Sequence, residues 1–176
     1  MKKLICSVLL IALALSLSAC DNGAFVDRTE YGLSFRLPEE FRKYNVNAYE
    51  ISYKTADAKF QVQVMTEEEF EYIGMYFGMS VKEYTEELIK INEWGIEYKY
   101  DEARDVTSFY YFWYPTDEPT NEGITSNEEL EPKYYYMLVL KSNEAFYHVV
   151  MSCSTDDYEK YEKEFKSIGL DLSVSK

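Results

Sequence analysis

Histidine occurs once in the 176 residues, cysteine three times, proline four times and glycine seven times. A single histidine, His148, leaves nucleophilic catalysis with one base of the usual kind, and no Gly-x-Ser-x-Gly elbow accompanies it. Of the cysteines, Cys6 and Cys20 lie in the opening 20 residues and Cys153 stands alone in the body of the chain. That spacing argues against an internal disulfide and against a cysteine-built metal cluster. Basic residues are also few, 18 against 32 acidic ones, for a formal net charge of −14. A surface of that sign repels polyanions, so no nucleic-acid partner is expected. The acidic clusters Glu67-Glu68-Glu69-Glu71, 117–131 and Asp156-Asp157 all lack EF-hand spacing. They read better as solvated loops and as acids placed at helix starts, where they complement the dipole. No metal, no cofactor and no catalytic set is assigned from these residues.

What is abundant is aromatic. Tyr, Phe and Trp make up 17% of the chain, with 18 Tyr. Acidic segments that stay disordered are poor in such residues, so this acidic chain is expected to fold around a hydrophobic core.

The opening is different in kind from the rest. Met1-Lys2-Lys3 is a basic start, and an apolar run over 4–17 follows, broken only by Cys6, Ser7 and Ser16. The run is about 14 residues, short of the roughly 20 that cross a bilayer as a helix. A basic head, a short apolar stretch and small residues before a cut site are the parts of a secretory signal. Leu17-Ser18-Ala19-Cys20 resembles the bacterial lipobox, in which the Cys thiol receives a diacylglycerol and the chain is cut just before it. The resemblance implies a lipidated Cys20 and a chain held on the extracytoplasmic face of a bacterial cell membrane. Acyl chains on one residue suffice for anchoring, since each buried methylene contributes roughly 0.8 kcal/mol. On this reading residues 1–20 are a signal, 21–29 a short tether and 30–176 one domain.

Within the domain, Tyr31, Leu33, Phe35 and Leu37 alternate with smaller or polar residues up to Pro38. Tyr49, Ile51 and Tyr53 alternate next, then Phe60, Val62 and Val64, with a hairpin loop over 55–58. Thr66 with Glu69 and Ser80 with Glu83 have capping-box spacing. Val81, Tyr84, Leu88 and Ile91 then mark one helix, and Tyr158, Tyr161, Phe165 and Ile168 a second that ends before Gly169. Glu86 and Lys90 are spaced as a helix pair. Ile96, Tyr98 and Tyr100 alternate as a half-buried strand. The segments 107–114, 134–141 and 145–153 are apolar on both parities, which predicts strands covered on both faces. The expected fold class is α+β, a largely antiparallel sheet of six or seven strands packed with two main helices. The 115–132 stretch is the one long connection.

This order resembles the PsbP-like family. The residues that carry the resemblance are Tyr31-Gly32-Leu33-Ser34-Phe35-Arg36-Leu37-Pro38, similar to that family's aromatic-Gly-x-x-Phe-x-x-Pro strand. The helix at 80–93 and the strand–helix unit at 147–172 fit the same plan. The resemblance implies an α/β/α sandwich and a non-enzymatic accessory or protein-binding role. It transfers no site residue.

If Asn143-Glu144 is a two-residue turn, His148 pairs with Val139. His148 then shares a face with Tyr135, Met137, Lys141, Phe146, Val150 and Ser152, and Cys153 lies on the other, which argues against a Cys–His pair. The surplus rings near this face are the candidate binding surface: Tyr110, Phe112, Trp113, Tyr114, Tyr135, Met137 and His148. Tyrosine suits such a role because it buries area at little entropic cost and keeps a polar tip. The ordinary reading of the same rings is a sheet sandwiched between helices, with hydroxyls at the rim. The expected function is a membrane-anchored, non-catalytic binding or accessory lipoprotein that contacts a protein or envelope component. A glycan or peptide receptor using the aromatic face is the alternative, and a carboxylate-based hydrolase a distant third.

Overall fold

The computed structural model describes residues 24–114 and 131–175. The signal, Cys20 and the greater part of the long connection lie outside them. No helix among the described residues is long and apolar enough to cross a membrane.

Two antiparallel sheets form the core. The larger has seven strands in the order β3-β4-β5-β9-β8-β7-β6, with β3 Arg42–Lys43, β4 Ile51–Lys54, β5 Ala58–Thr66, β6 Lys99–Asp101, β7 Val106–Trp113, β8 Lys133–Lys141 and β9 Ala145–Ser154. The smaller joins β1 Phe25–Glu30, β2 Leu33–Pro38 and β10 Ser173–Val174. Among the described residues three helices pack on the large sheet: α1 Glu67–Tyr72, α2 Val81–Ile91 and α3 Tyr158–Asp171. The α+β sandwich expected from the sequence is the fold observed.

One face of the large sheet meets α3 and the small sheet. Leu33, Phe35, Phe60, Val62, Tyr134, Leu138, Val149, Met151, Tyr161 and Phe165 close this cluster. The opposite face meets α1 and α2 through Phe70, Val81, Tyr84, Phe109, Met137, Val139, Phe146 and Val150. Both capping boxes form, with Glu69 reaching back to Thr66 and Glu83 to Ser80. Val139 pairs with His148, so the expected turn and the face assignment of β8 and β9 both hold.

Several expectations are corrected. Residues 25–29 are no tether: they are the strand β1, which pairs with β2 from Phe25↔Pro38 to Glu30↔Leu33. Phe-Val-Asp-Arg-Thr-Glu lacks clean alternation because β1 lies at the edge of a small sheet. Tyr31 and Gly32 are a turn rather than strand, both with positive φ, at 50° and 78°. That is the twist a two-residue hairpin needs, and the Tyr147 hydroxyl secures it by donating to the Tyr31 carbonyl at 2.7 Å. Gly169 lies inside α3, not beyond it, because helix and sheet touch there: a Cβ would meet Leu138 Cδ2 at 3.0 Å. Arg104 then binds the carbonyls of Gly169 and Leu172 at 2.8 and 3.0 Å, a cation at the helix C-terminus. Ile91 is exposed, and the buried stripe of α2 runs instead through Thr85, whose hydroxyl lies 2.6 Å from that of Thr107. Lys90 pairs with Glu87 rather than Glu86, which is taken by the Tyr98 hydroxyl.

Candidate functional site

The two ends of β7 have different neighbours. β6 accompanies it only from Asp101↔Val106 to Lys99↔Ser108, whereas β8 runs beside it from Thr107↔Val139 to Trp113↔Lys133. The alternation of Ile96 and Tyr98 predicts a longer β6, but residues 94–98 leave the sheet. Their anchors explain it. Trp94 stacks on Tyr111 at 5.2 Å, over the α2 face, and Tyr98 is tied to Glu86 of α2. The chain therefore approaches the edge from the α2 side and joins the ladder only at Lys99.

Rings then crowd the uncovered half of β7. On the α3 face, Phe112 meets Tyr134 at 5.3 Å and Tyr158 at 5.1 Å, while Tyr110 stays half exposed. Tyr110 and Tyr136 line an open groove of about 500 Å³ with Leu170 and Lys166 of α3 and with Ile96, Glu97, Tyr98 and Lys99. On the α2 face, Tyr111 stacks on Tyr135 at 4.9 Å and 14°. Burial there pushes the Tyr111 hydroxyl up to about 12, with Tyr135 and Tyr49 nearby adding to it. These phenols stay neutral at physiological pH and offer hydrogen bonds rather than charge.

The seven residues expected to form one binding face are divided between two. Tyr110 and Phe112 point to the α3 side. Trp113, Tyr135, Met137 and His148 share the other parity, and Tyr114 follows the end of the strand. Met137 and His148 are buried and leave the surface altogether. The reason is α2, which lies over that part of the sheet and stacks Tyr84 on His148 at 5.1 Å. What remains exposed is a row at the sheet edge: Tyr110, Phe112, Trp113 and Tyr114. Sequence reading missed Tyr136, Lys99, Lys166 and Leu170 as its companions. Tyr136 was visible as part of a tyrosine run, but Lys166 and Leu170 arrive from a helix more than 50 residues away and carry no local mark.

The reactive groups are poorly placed for catalysis. Burial lowers the His148 pKa to about 4, so the ring is neutral, and its Nε2 has no hydrogen-bond partner. Burial raises the Cys153 thiol to about 12, with the Asp157 carboxylate adding to it, so no thiolate is available. As expected, the two lie on opposite faces. Glu164 is raised above the usual carboxylate range by burial and then by Glu40, but it does not line the groove. Among the described residues no three His, Cys, Asp or Glu side chains gather as a metal site.

No protein-family model and no curated protein matches the chain. Solved structures that resemble it in fold include these two. Cyanobacterial PsbP (CyanoP) from Synechocystis aligns over 89% of this chain and 95% of its own, with 9% identity and a TM-score of 0.49. The Ran-binding protein Mog1p of Saccharomyces cerevisiae aligns over 87% and 96%, with 8% identity and a TM-score of 0.49. Ran binding is a property of Mog1p, and at these identities no residue correspondence is drawn.

Proposed function

We propose that the chain is a non-catalytic binding or accessory domain, tethered to the extracytoplasmic face of a bacterial membrane through a lipidated Cys20. The observation that carries the binding reading is the row Tyr110, Phe112, Trp113 and Tyr114, exposed together at one sheet edge. A soluble surface seldom leaves so many rings side by side without a use. Buried, neutral His148 and protonated Cys153 support a role without chemistry.

Two measurements test this reading. Photo-crosslinking residues placed at 110 and 112 should give discrete adducts in native membranes, and the same group at Tyr72, which is fully exposed elsewhere, should give none. Equal labelling at the three positions removes the aromatic edge as the contact. Cys20→Ser should release the protein into the soluble fraction and abolish its acyl mass. Fractionation like the parent removes the anchor. The groove beside Tyr110 favours a second reading, a receptor for a glycan or short peptide. Saturable binding of such a ligand with shifts confined to Tyr110, Tyr136 and Leu170 would support it over a protein contact.

A further inference from the structure

Main-chain directions at the edge can be read from the hairpin at the other end of the sheet. The Ser142 N–H donates to the Ala145 carbonyl at 2.9 Å, so the hydrogen-bonded pairs of β8 with β9 fall on the even residues of β8. The odd residues of β8 turn their N–H and C=O groups toward β7, where they meet Thr107, Phe109, Tyr111 and Trp113. Tyr110 and Phe112 therefore turn their own main-chain groups outward. Ser108, of the same parity, meets Lys99 of β6, but there β6 ends. Among the described residues no backbone hydrogen bond reaches Tyr110 or Phe112 from that side. Between 106 and 113 there is also no charged residue, no proline and no break in the register, the devices that usually protect an edge.

We propose that β7 is a docking edge for an extended segment of a partner protein, which adds as an outer strand along Tyr110 and Phe112. This rests on the binding reading above and states how the partner is held. The outward main-chain groups supply the hydrogen bonds, and the groove supplies selectivity, because alternate side chains of the added strand turn onto the α3 face. Tyr110, Tyr136 and Leu170 accept a bulky apolar side chain there. Lys99 and Glu97 stand at the rim, and Lys166 is held by Glu162 at 2.6 Å, so the groove selects through its apolar lining rather than through charge. The fitting segment therefore carries a bulky apolar residue at a position that turns onto the α3 face. A second copy fits less well, because two chains of net charge −14 repel each other.

The probe is a blocked peptide, acetyl-Thr-Val-Thr-Phe-Thr-Val-Thr-amide, beside a version N-methylated at alternate amides. Titrated into the full chain, the first should slow amide exchange at Tyr110 and Phe112, and N-methylation should weaken binding by about tenfold or more. Phe112→Pro and Phe112→Ala both lose the ring, but only proline loses the outward N–H, and neither loses a bond to β8. The proline variant should bind about tenfold more weakly than the alanine one. Equal weakening by the two variants, or undiminished binding of the N-methylated peptide, overturns strand addition and leaves a ring-mediated contact standing. Protection elsewhere, or no binding at millimolar peptide, overturns it too. A doubling of mass by light scattering, with edge protection in the absence of peptide, makes a second copy the occupant and overturns the proposal. If Phe112→Pro loses its dispersed amide spectrum, the N-methylated peptide decides alone.

Discussion

Strands β7 and β9 look alike in sequence and end in opposite situations. Each is apolar or aromatic on both parities. In β9 every residue but Ser154 is buried, since β5 and β8 flank it and helices cover both faces. In β7 cover is lost from Tyr110 onward, because pairing with β6 stops at Lys99↔Ser108 and residues 94–98 pack toward the α2 side instead. The same pattern thus makes a core in one strand and an exposed edge in the other. Two-sided hydrophobicity reports what a strand can bury, and the neighbours decide whether it does.

Substitutions at matched rings would break the comparison if it is wrong. Phe146 of β9 stacks on Phe70 at 4.5 Å and touches Tyr84 and Phe77. Phe146→Ala should lower unfolding stability by about 3–5 kcal/mol in urea titrations. His148, on the same strand, sharpens the contrast through pH. Its pKa of about 4 lies below the unfolded value near 6.5, so the unfolded state binds its proton first as pH falls. The stability it contributes is complete above about 6.5 and is lost on the way down to about 4, an effect of about 3 kcal/mol. A His148→Leu variant should lack that component, and parallel losses in parent and variant across this window would contradict it. Lys141 ends β8, donates to the carbonyls of Phe77 and Met79 at 2.6 and 2.8 Å, and lies over the rings of Phe77 and Phe146. Lys141→Met should cost about 2 kcal/mol and speed amide exchange over residues 75–80. Smallest of all is Tyr110→Ala on the open edge, at about 0.5 kcal/mol. A cost as large as that of Phe146→Ala would mean the edge is core, and the binding reading would fall with it.

Much of the local structure was legible. The capping boxes at Thr66 and Ser80 and the turn at Asn143-Glu144 depend on groups three or four residues apart, and all three form. From that turn alone the faces of β8 and β9 follow. The candidate site was legible only in part: Tyr110, Phe112, Trp113 and Tyr114 are exposed, but Met137 and His148 are not. β1 escaped notice because an edge strand of a small sheet needs no strict alternation, and β6 was overextended because Trp94 and Tyr98 find better partners off the edge.

The sequence by itself determined the acidity, the single histidine, the unpaired Cys153, the helix starts and which side chains of β8 and β9 share a face. These rest on composition and on the fixed geometry of neighbouring residues, so they hold whatever the rest of the chain does. Only the tertiary structure decided that α2 closes over His148, that Lys166 and Leu170 share a groove with Tyr110, and that the outer edge of β7 beyond Ser108 is left without a backbone partner among the described residues. Each of these depends on which distant segment comes to lie where, and that is set by the competition of the whole chain to bury its apolar surface.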